Sequence, residues 1–259
     1  MSFINQTKLA NRTNELQHFQ EMLSVDATRR IFLLKAPSGY GKTDLLLKFS
    51  EHSHPAAYPV VVDIKAAGAG IPYVFWRIRD TLGDDNFPEF DKAVKDLTAA
   101  NINIGDNKVI GQMDITIALE VDEQTQKFRL MQLQEAFFRD LRAIKQTIVF
   151  LFDTFNDPTT QLASWINDNF LVVIPKSPNL RVVIAGQSAP ERNAAWENHC
   201  HRCELGEIKE TEAWYKFTQE IGLNLEEKMV KLLIDANKGN PKNISELFQN
   251  LKSIEGYSK

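Results

Sequence analysis

Cysteine is nearly missing from this chain: Cys200 and Cys203 are the only two in 259 residues, so a hydrophobic core and not a disulfide framework must hold the fold. No uninterrupted apolar stretch approaches the ~20 residues of a membrane span, and the opening Met1-Ser2-Phe3-Ile4-Asn5 lacks the basic-then-apolar pattern of a secretory leader. A cytoplasmic location without membrane attachment is therefore expected. An excess of positive charge is also missing. Thirty Lys and Arg against 34 Asp and Glu leave a net charge of −4, which argues against wholesale electrostatic attachment to nucleic acid. The segment His199-Cys200-His201-Arg202-Cys203 offers a compact set of metal ligands. A closed structural zinc site gathers ligands from two separated segments, and no second Cys or His cluster exists, so a short edge strand is the simpler reading.

What is present begins with Ala36-Pro37-Ser38-Gly39-Tyr40-Gly41-Lys42-Thr43, directly after the apolar run Ile31-Phe32-Leu33-Leu34. This order reads as strand, phosphate loop, helix. Small residues let backbone N–H groups curl around a β-phosphate, Lys42 reaches the β/γ oxygens, and the Thr43 hydroxyl ligates Mg²⁺ at the positive end of the following helix. Asp44 opens the helical continuation Asp44-Leu45-Leu46-Leu47-Lys48-Phe49. The expected ligand is therefore a nucleoside triphosphate with Mg²⁺, although the first loop position is Ala where the motif usually has Gly.

Apolar runs of strand length recur at 30–35, 59–64, 147–152, 180–185 and 202–205. Strands apolar on both faces and alternating with helices predict an α/β fold: a parallel five-stranded sheet covered on both sides. Leu16, Phe19, Met22 and Leu23 share one helical face, which predicts a helix before the first strand. The interval from Asp63 to Thr147 is too long for one crossover and predicts an insertion. It reads as helices over 74–83 and 89–98, then a small β-ribbon over about 101–121, suggested by Asn101-Ile102-Asn103-Ile104 and Ile115-Thr116-Ile117-Ala118-Leu119. Helical spacing returns over 126–145. After the last strand the pattern is purely helical, over 210–221, 225–237 and 243–251, so residues 1–206 form an α/β domain and 207–259 a helical lid.

A second acidic element belongs at the end of an apolar strand beside the phosphate loop, and Ile148-Val149-Phe150-Leu151-Phe152-Asp153 supplies it. Asp153 is the candidate Mg²⁺ partner, with Thr43. Lys42 and Asp153 carry any catalysis. Hydrolytic members of the class usually follow this Asp with a Glu that polarises water, and here the residue is Thr154. Loss of general-base assistance is worth about 10²- to 10⁴-fold, so slow turnover is expected unless Asp157 substitutes. Gln187, after the strand at 180–185, is placed to sense the γ-phosphate if that strand lies between the first and the third.

Four segments together resemble the signal-transduction ATPases with numerous domains, the STAND branch of the AAA+-like P-loop NTPases. They are Leu9-Ala10-Asn11-Arg12-Thr13-Asn14-Glu15-Leu16, the 36–43 loop, the Asp153 strand and Gly239-Asn240-Pro241. The resemblance implies that Arg12 lies near the nucleotide and that Pro241 helps close the lid over base and ribose. The cofactor-binding set is then Arg12, Pro37, Ser38, Gly39, Tyr40, Gly41, Lys42, Thr43, Asp44 and Pro241. Asn11, Thr154 and Gln187 depart from the family pattern, as in its hydrolysis-degenerate members. Implied is a nucleotide-dependent regulatory switch in signalling or defence, acting on a protein partner or effector in cis or in trans. Two alternatives stand: an oligomeric AAA+-type motor or loader, with Arg181, Arg192 or Arg202 as the arginine finger, and a scaffold without nucleotide dependence. No Asn-Lys-x-Asp guanine signature is present, which with the resemblance favours adenine and makes ATP or ADP the expected cofactor.

Overall fold

Successive residues of the first strand face opposite cores. In a computed structural model that describes residues 10–65, 70–98 and 110–257, Ile31 and Leu33 pack into one hydrophobic cluster, and Phe32 and Leu34 into another. A strand buried on both faces belongs to the interior of a parallel sheet. Strand β1 (Ile31–Lys35) sits between β4 (Leu180–Gly186) and β5 (Cys200–Glu204); β3 (Ile148–Asp153) follows β4, and β2 (Tyr58–Asp63) is the far edge. All pairings are parallel. The C-terminal ends of the five strands therefore lie along one rim of the sheet, where an open α/β fold binds ligands. β4 does lie between β1 and β3, the condition that brings Gln187 to the phosphate loop.

Helix α1 (Thr13–Leu23) precedes β1 and buries Phe19, Met22 and Leu23. Helix α2 (Lys42–Ser53) follows the loop and buries Leu45, Leu46 and Phe49 against the same side of the sheet. The insertion differs from expectation. Helices α3 (Ile71–Leu82) and α4 (Pro88–Thr98) form as expected, but Gln112–Leu119 is a helix, α5, and not the second strand of a β-ribbon. Ile115, Ala118 and Leu119 are its buried face, and Asp114 accepts the Gly111 N–H at 2.9 Å, which caps the first turn. The ribbon's other half, 101–104, lies outside the described residues, as do Met1 to Leu9. A buried Arg79 guanidinium fastens the insertion, with two 2.6 Å bonds to Asp91 and one of 2.7 Å to Asp84. Helix α6 (Glu123–Ala143) then leads into β3.

Between β3 and β4, α7 (Thr160–Trp165) runs through a π-turn (Ile166–Phe170) into the single turn α8 (Leu171–Val173). After β5 the chain makes three helices, α9 (Thr211–Ile221), α10 (Glu227–Ala236) and α11 (Pro241–Tyr257). These share their own small core, built on Trp214, Phe217, Val230, Ile234, Ile244 and Phe248.

Candidate functional site

The loop between β1 and α2 turns on two glycines in the left-handed region, Gly39 at φ +85° and Gly41 at φ +78°, a conformation that costs other residues about 1–2 kcal/mol. The first ladder bond of α2 runs from the Leu45 N–H to the Gly41 carbonyl at 3.0 Å. The N–H groups of Lys42, Thr43 and Asp44 lie ahead of it, at the positive end of the helix. The Lys42 ammonium donates to the carbonyls of Ala36 at 2.8 Å and Pro37 at 2.7 Å. Burial lowers the pKa of Lys42, and the charge of Asp153 opposes that shift.

The Thr43 hydroxyl donates to Asp153 Oδ2 at 2.8 Å, and Asp153 Oδ1 accepts the Thr154 N–H at 2.7 Å. Two hard oxygen donors thus meet at the helix start. They fit Mg²⁺, which takes one or two protein oxygens and completes its shell with water and phosphate oxygens. Among the described residues no cluster of His, Cys, Asp and Glu forms a metal cage. Burial pushes the Cys200 thiol up to about 12 and also raises that of Cys203, so thiolate chemistry at β5 is disfavoured.

Lys42, Thr43, Asp44, Asp153 and Thr154 line a cavity of about 730 Å³ together with Arg12, Ser38, Gly39, Tyr40 and Pro241, a size suited to a nucleotide-sized ligand. Arg12 is buried, and its Nη2 donates to the carbonyls of Tyr40 at 3.2 Å and Gly206 at 3.0 Å. One guanidinium thereby ties the chain's opening segment to the loop and to the segment after β5. Helix α11 closes the other side. The Lys242 N–H donates to the Gly39 carbonyl at 3.0 Å, and the Ile208 N–H to the Gly239 carbonyl at 2.8 Å.

Not every candidate from the sequence reaches the cavity wall. Pro37 contributes only its carbonyl, to Lys42. Asp157 is exposed and outside the lining residues. Two of the three finger arginines are structural. Arg181 is buried and donates to the carbonyls of Met22 at 2.6 Å and Ser24 at 3.0 Å; burial, with Arg30 nearby, pushes its pKa down to about 10. Arg202 is bound by Glu197 at 2.9 Å twice and lies over Trp196. Arg192 stays exposed, with one long ion pair of 3.4 Å to Glu197.

Other lining residues carry no local signal in the sequence. Trp214, Phe217 and Ile221 of α9 and Ile208 make an apolar wall, with the Trp214 indole donating to the Ile208 carbonyl at 2.8 Å. Asn156 stands beside Gln187 at the rim. Spacing alone does not show that these segments meet.

Sheet order, phosphate loop and the Asp at the end of β3 define a P-loop α/β fold, a parallel five-stranded sheet flanked by helices. Among solved structures the chain is similar to Cdc6p from Pyrobaculum aerophilum, 13% identical with a TM-score of 0.58. It is also similar to AMPPCP-bound DnaA from Aquifex aeolicus, 12% identical with a TM-score of 0.50. The matches cover 100% of this chain and 66% of Cdc6p, and 97% and 67% in the DnaA comparison. Likeness at this identity is likeness of fold. No protein-family model and no curated protein sequence matches the chain. Among the described residues no helix is long and apolar enough to cross a membrane.

Proposed function

We propose that this chain is an ATP- or ADP-binding regulatory switch of the STAND type, cytoplasmic, with slow or absent hydrolysis, which couples its nucleotide state to a protein partner or effector in signalling or defence. One observation carries the reading. The first turn of α11 is hydrogen-bonded to the phosphate loop through Lys242 and Gly39, so a ligand in the loop acts directly on the helices at 207–259, which serve as the lid. A ligand shifts such an equilibrium only through contacts that differ between the two states. ATP and ADP differ in the γ-phosphate, so Lys42, Thr43, Asp153 and Gln187 are the residues assigned to discriminate them. Thr43 and Asp153 are the residues assigned to hold Mg²⁺, which would supply positive charge against the phosphates.

Slow hydrolysis follows from Thr154. A hydroxyl is a poor general base, and Thr154 is further constrained at φ +59°, a strained conformation for a β-branched residue.

The second reading is an active oligomeric AAA+-type ATPase, favoured by the likeness in fold to Cdc6p and to AMPPCP-bound DnaA. It needs an arginine from a neighbouring copy, and Arg192 alone of the three arginines named above is loosely held.

Calorimetric titration of Mg²⁺-ATP and Mg²⁺-ADP into wild type and Lys42→Ala, with phosphate release followed on the same samples, separates these readings. The switch predicts binding, loss of binding in Lys42→Ala, and turnover below about one per second, the low end of ordinary enzymes. Faster turnover that rises with protein concentration restores the motor. Absence of binding by wild type leaves a scaffold.

A further inference from the structure

We infer that Asn156 distinguishes nucleoside triphosphate from diphosphate, by donating its side-chain amide to the terminal phosphate; this rests on the nucleotide-binding reading above. The strand order supplies the direction in which a ligand lies. Along the rim, β5 flanks the phosphate loop on one side, and β4 then β3 on the other. The apolar residues Ile208 and Trp214 line the cavity from the segment beyond β5, whereas Asp153, Asn156 and Gln187 line it from the ends of β3 and β4. A nucleotide laid across the loop with its base on the apolar wall points its last phosphate at this polar group.

The loop that carries Asn156 is built to hold it there. Thr154 is left-handed, and the Asn156 N–H closes a tight turn onto the Thr154 carbonyl at 2.6 Å. Phe155 is pinned to β4: its N–H donates to the Ala185 carbonyl at 2.9 Å, and its carbonyl accepts the Ser188 hydroxyl at 2.9 Å. This close approach requires glycine at 186, because a Cβ there would stand 2.1 Å from the Phe155 carbonyl oxygen.

The orientation of the side chain follows from its partner. Asn156 accepts the main-chain N–H of Gln187 at 2.6 Å, and only an oxygen can do that, so this atom is Oδ1 and Nδ2 is the donor on the other branch. Nδ2 has no hydrogen-bond partner among the described residues. A neutral amide fixed in this way offers two N–H donors to an oxyanion and cannot act as a base, which agrees with binding without rapid turnover.

The test is a comparison of Mg²⁺-ATP and Mg²⁺-ADP dissociation constants for wild type, Asn156→Ala and Asn156→Asp, with thermal midpoints to establish folding. Asn156→Asp keeps the acceptor for the Gln187 N–H and replaces the donor with a carboxylate, so it retains the loop. Both variants are expected to weaken ATP by about tenfold or more, the scale of a lost hydrogen bond to a charged group, and to leave ADP within about twofold. Equal weakening of both nucleotides, or an Asn156→Asp protein that binds ATP as tightly as wild type, overturns the assignment. Lys42→Ala is the control for the parent reading and loses both nucleotides. A wild type that binds neither overturns that reading and this inference with it.

Discussion

The main-chain N–H of Lys242 lies 3.0 Å from the carbonyl oxygen of Gly39, which makes the first turn of α11 a hydrogen-bonding neighbour of the phosphate loop. A Cβ on Gly39 would meet Lys242 Cβ at 3.3 Å, on a residue already at φ +85°. Gly39→Ala is therefore expected to lower stability by about 1–2 kcal/mol and to speed hydrogen exchange in the first turn of α11. Exchange unchanged there, in a folded variant, would show that the two elements are not coupled.

Thr43→Val keeps the shape of the side chain and removes its hydroxyl. Loss of its 2.8 Å bond to Asp153 is expected to change stability by only about 0.5–1.5 kcal/mol. Its main effect is expected on the magnesium dependence of nucleotide affinity, which titration with and without Mg²⁺ measures. A variant whose affinity still rises with Mg²⁺ as in wild type would remove Thr43 from the metal site.

Gly186 and Gly206 make a matched pair. A Cβ at 186 collides with the Phe155 backbone, whereas one at 206 has nothing within 4 Å. Gly186→Ala should cost about 1–3 kcal/mol as an overpacked site, and Gly206→Ala less than about 0.5 kcal/mol. Urea midpoints of the two variants decide this directly.

Glu197 and Arg202 provide the pH prediction. Hydrogen bonding to Arg202 is the leading cause that holds the Glu197 carboxyl below its ordinary value of 4.5. A carboxyl depressed in the folded state adds stability above its unfolded pKa, and that stability is lost as the pH falls through the lower native value. Glu197→Gln should flatten this acid-side slope and cost about 1 kcal/mol at neutral pH. Urea midpoints between about pH 3 and pH 7 will show a slope equal to wild type if the pair contributes nothing.

The strands and the phosphate loop were legible in the sequence because their signals are local: both faces of β1 are apolar, and Gly39, Gly41, Lys42 and Thr43 follow at fixed offsets. The insertion was legible only in part. Ile115-Thr116-Ile117 alternates like a strand, yet Ile115, Ala118 and Leu119 also fit a helical face, and the Asp114 cap with burial against the insertion core settles the contest. The cavity wall was less legible still. Asn156 and Trp214 reach one cavity through strand order and the return of the helices at 207–259, and a chain read in one dimension holds no trace of that meeting. Gly186 ends β4, and its lack of a side chain, which no local pattern accounts for, is what lets Phe155 approach.

Arg12 and Lys242 also set an order of events during synthesis. All five strands have been made once Glu204 is added, but the bond from Arg12 to Gly206 and that from Lys242 to Gly39 await later residues. A growing chain that has reached β5 thus carries its phosphate loop before the element that covers it. The cavity, whose lining extends to Gln249 of α11, is completed after the sheet, and its completion marks the passage from a nascent sheet to a finished site.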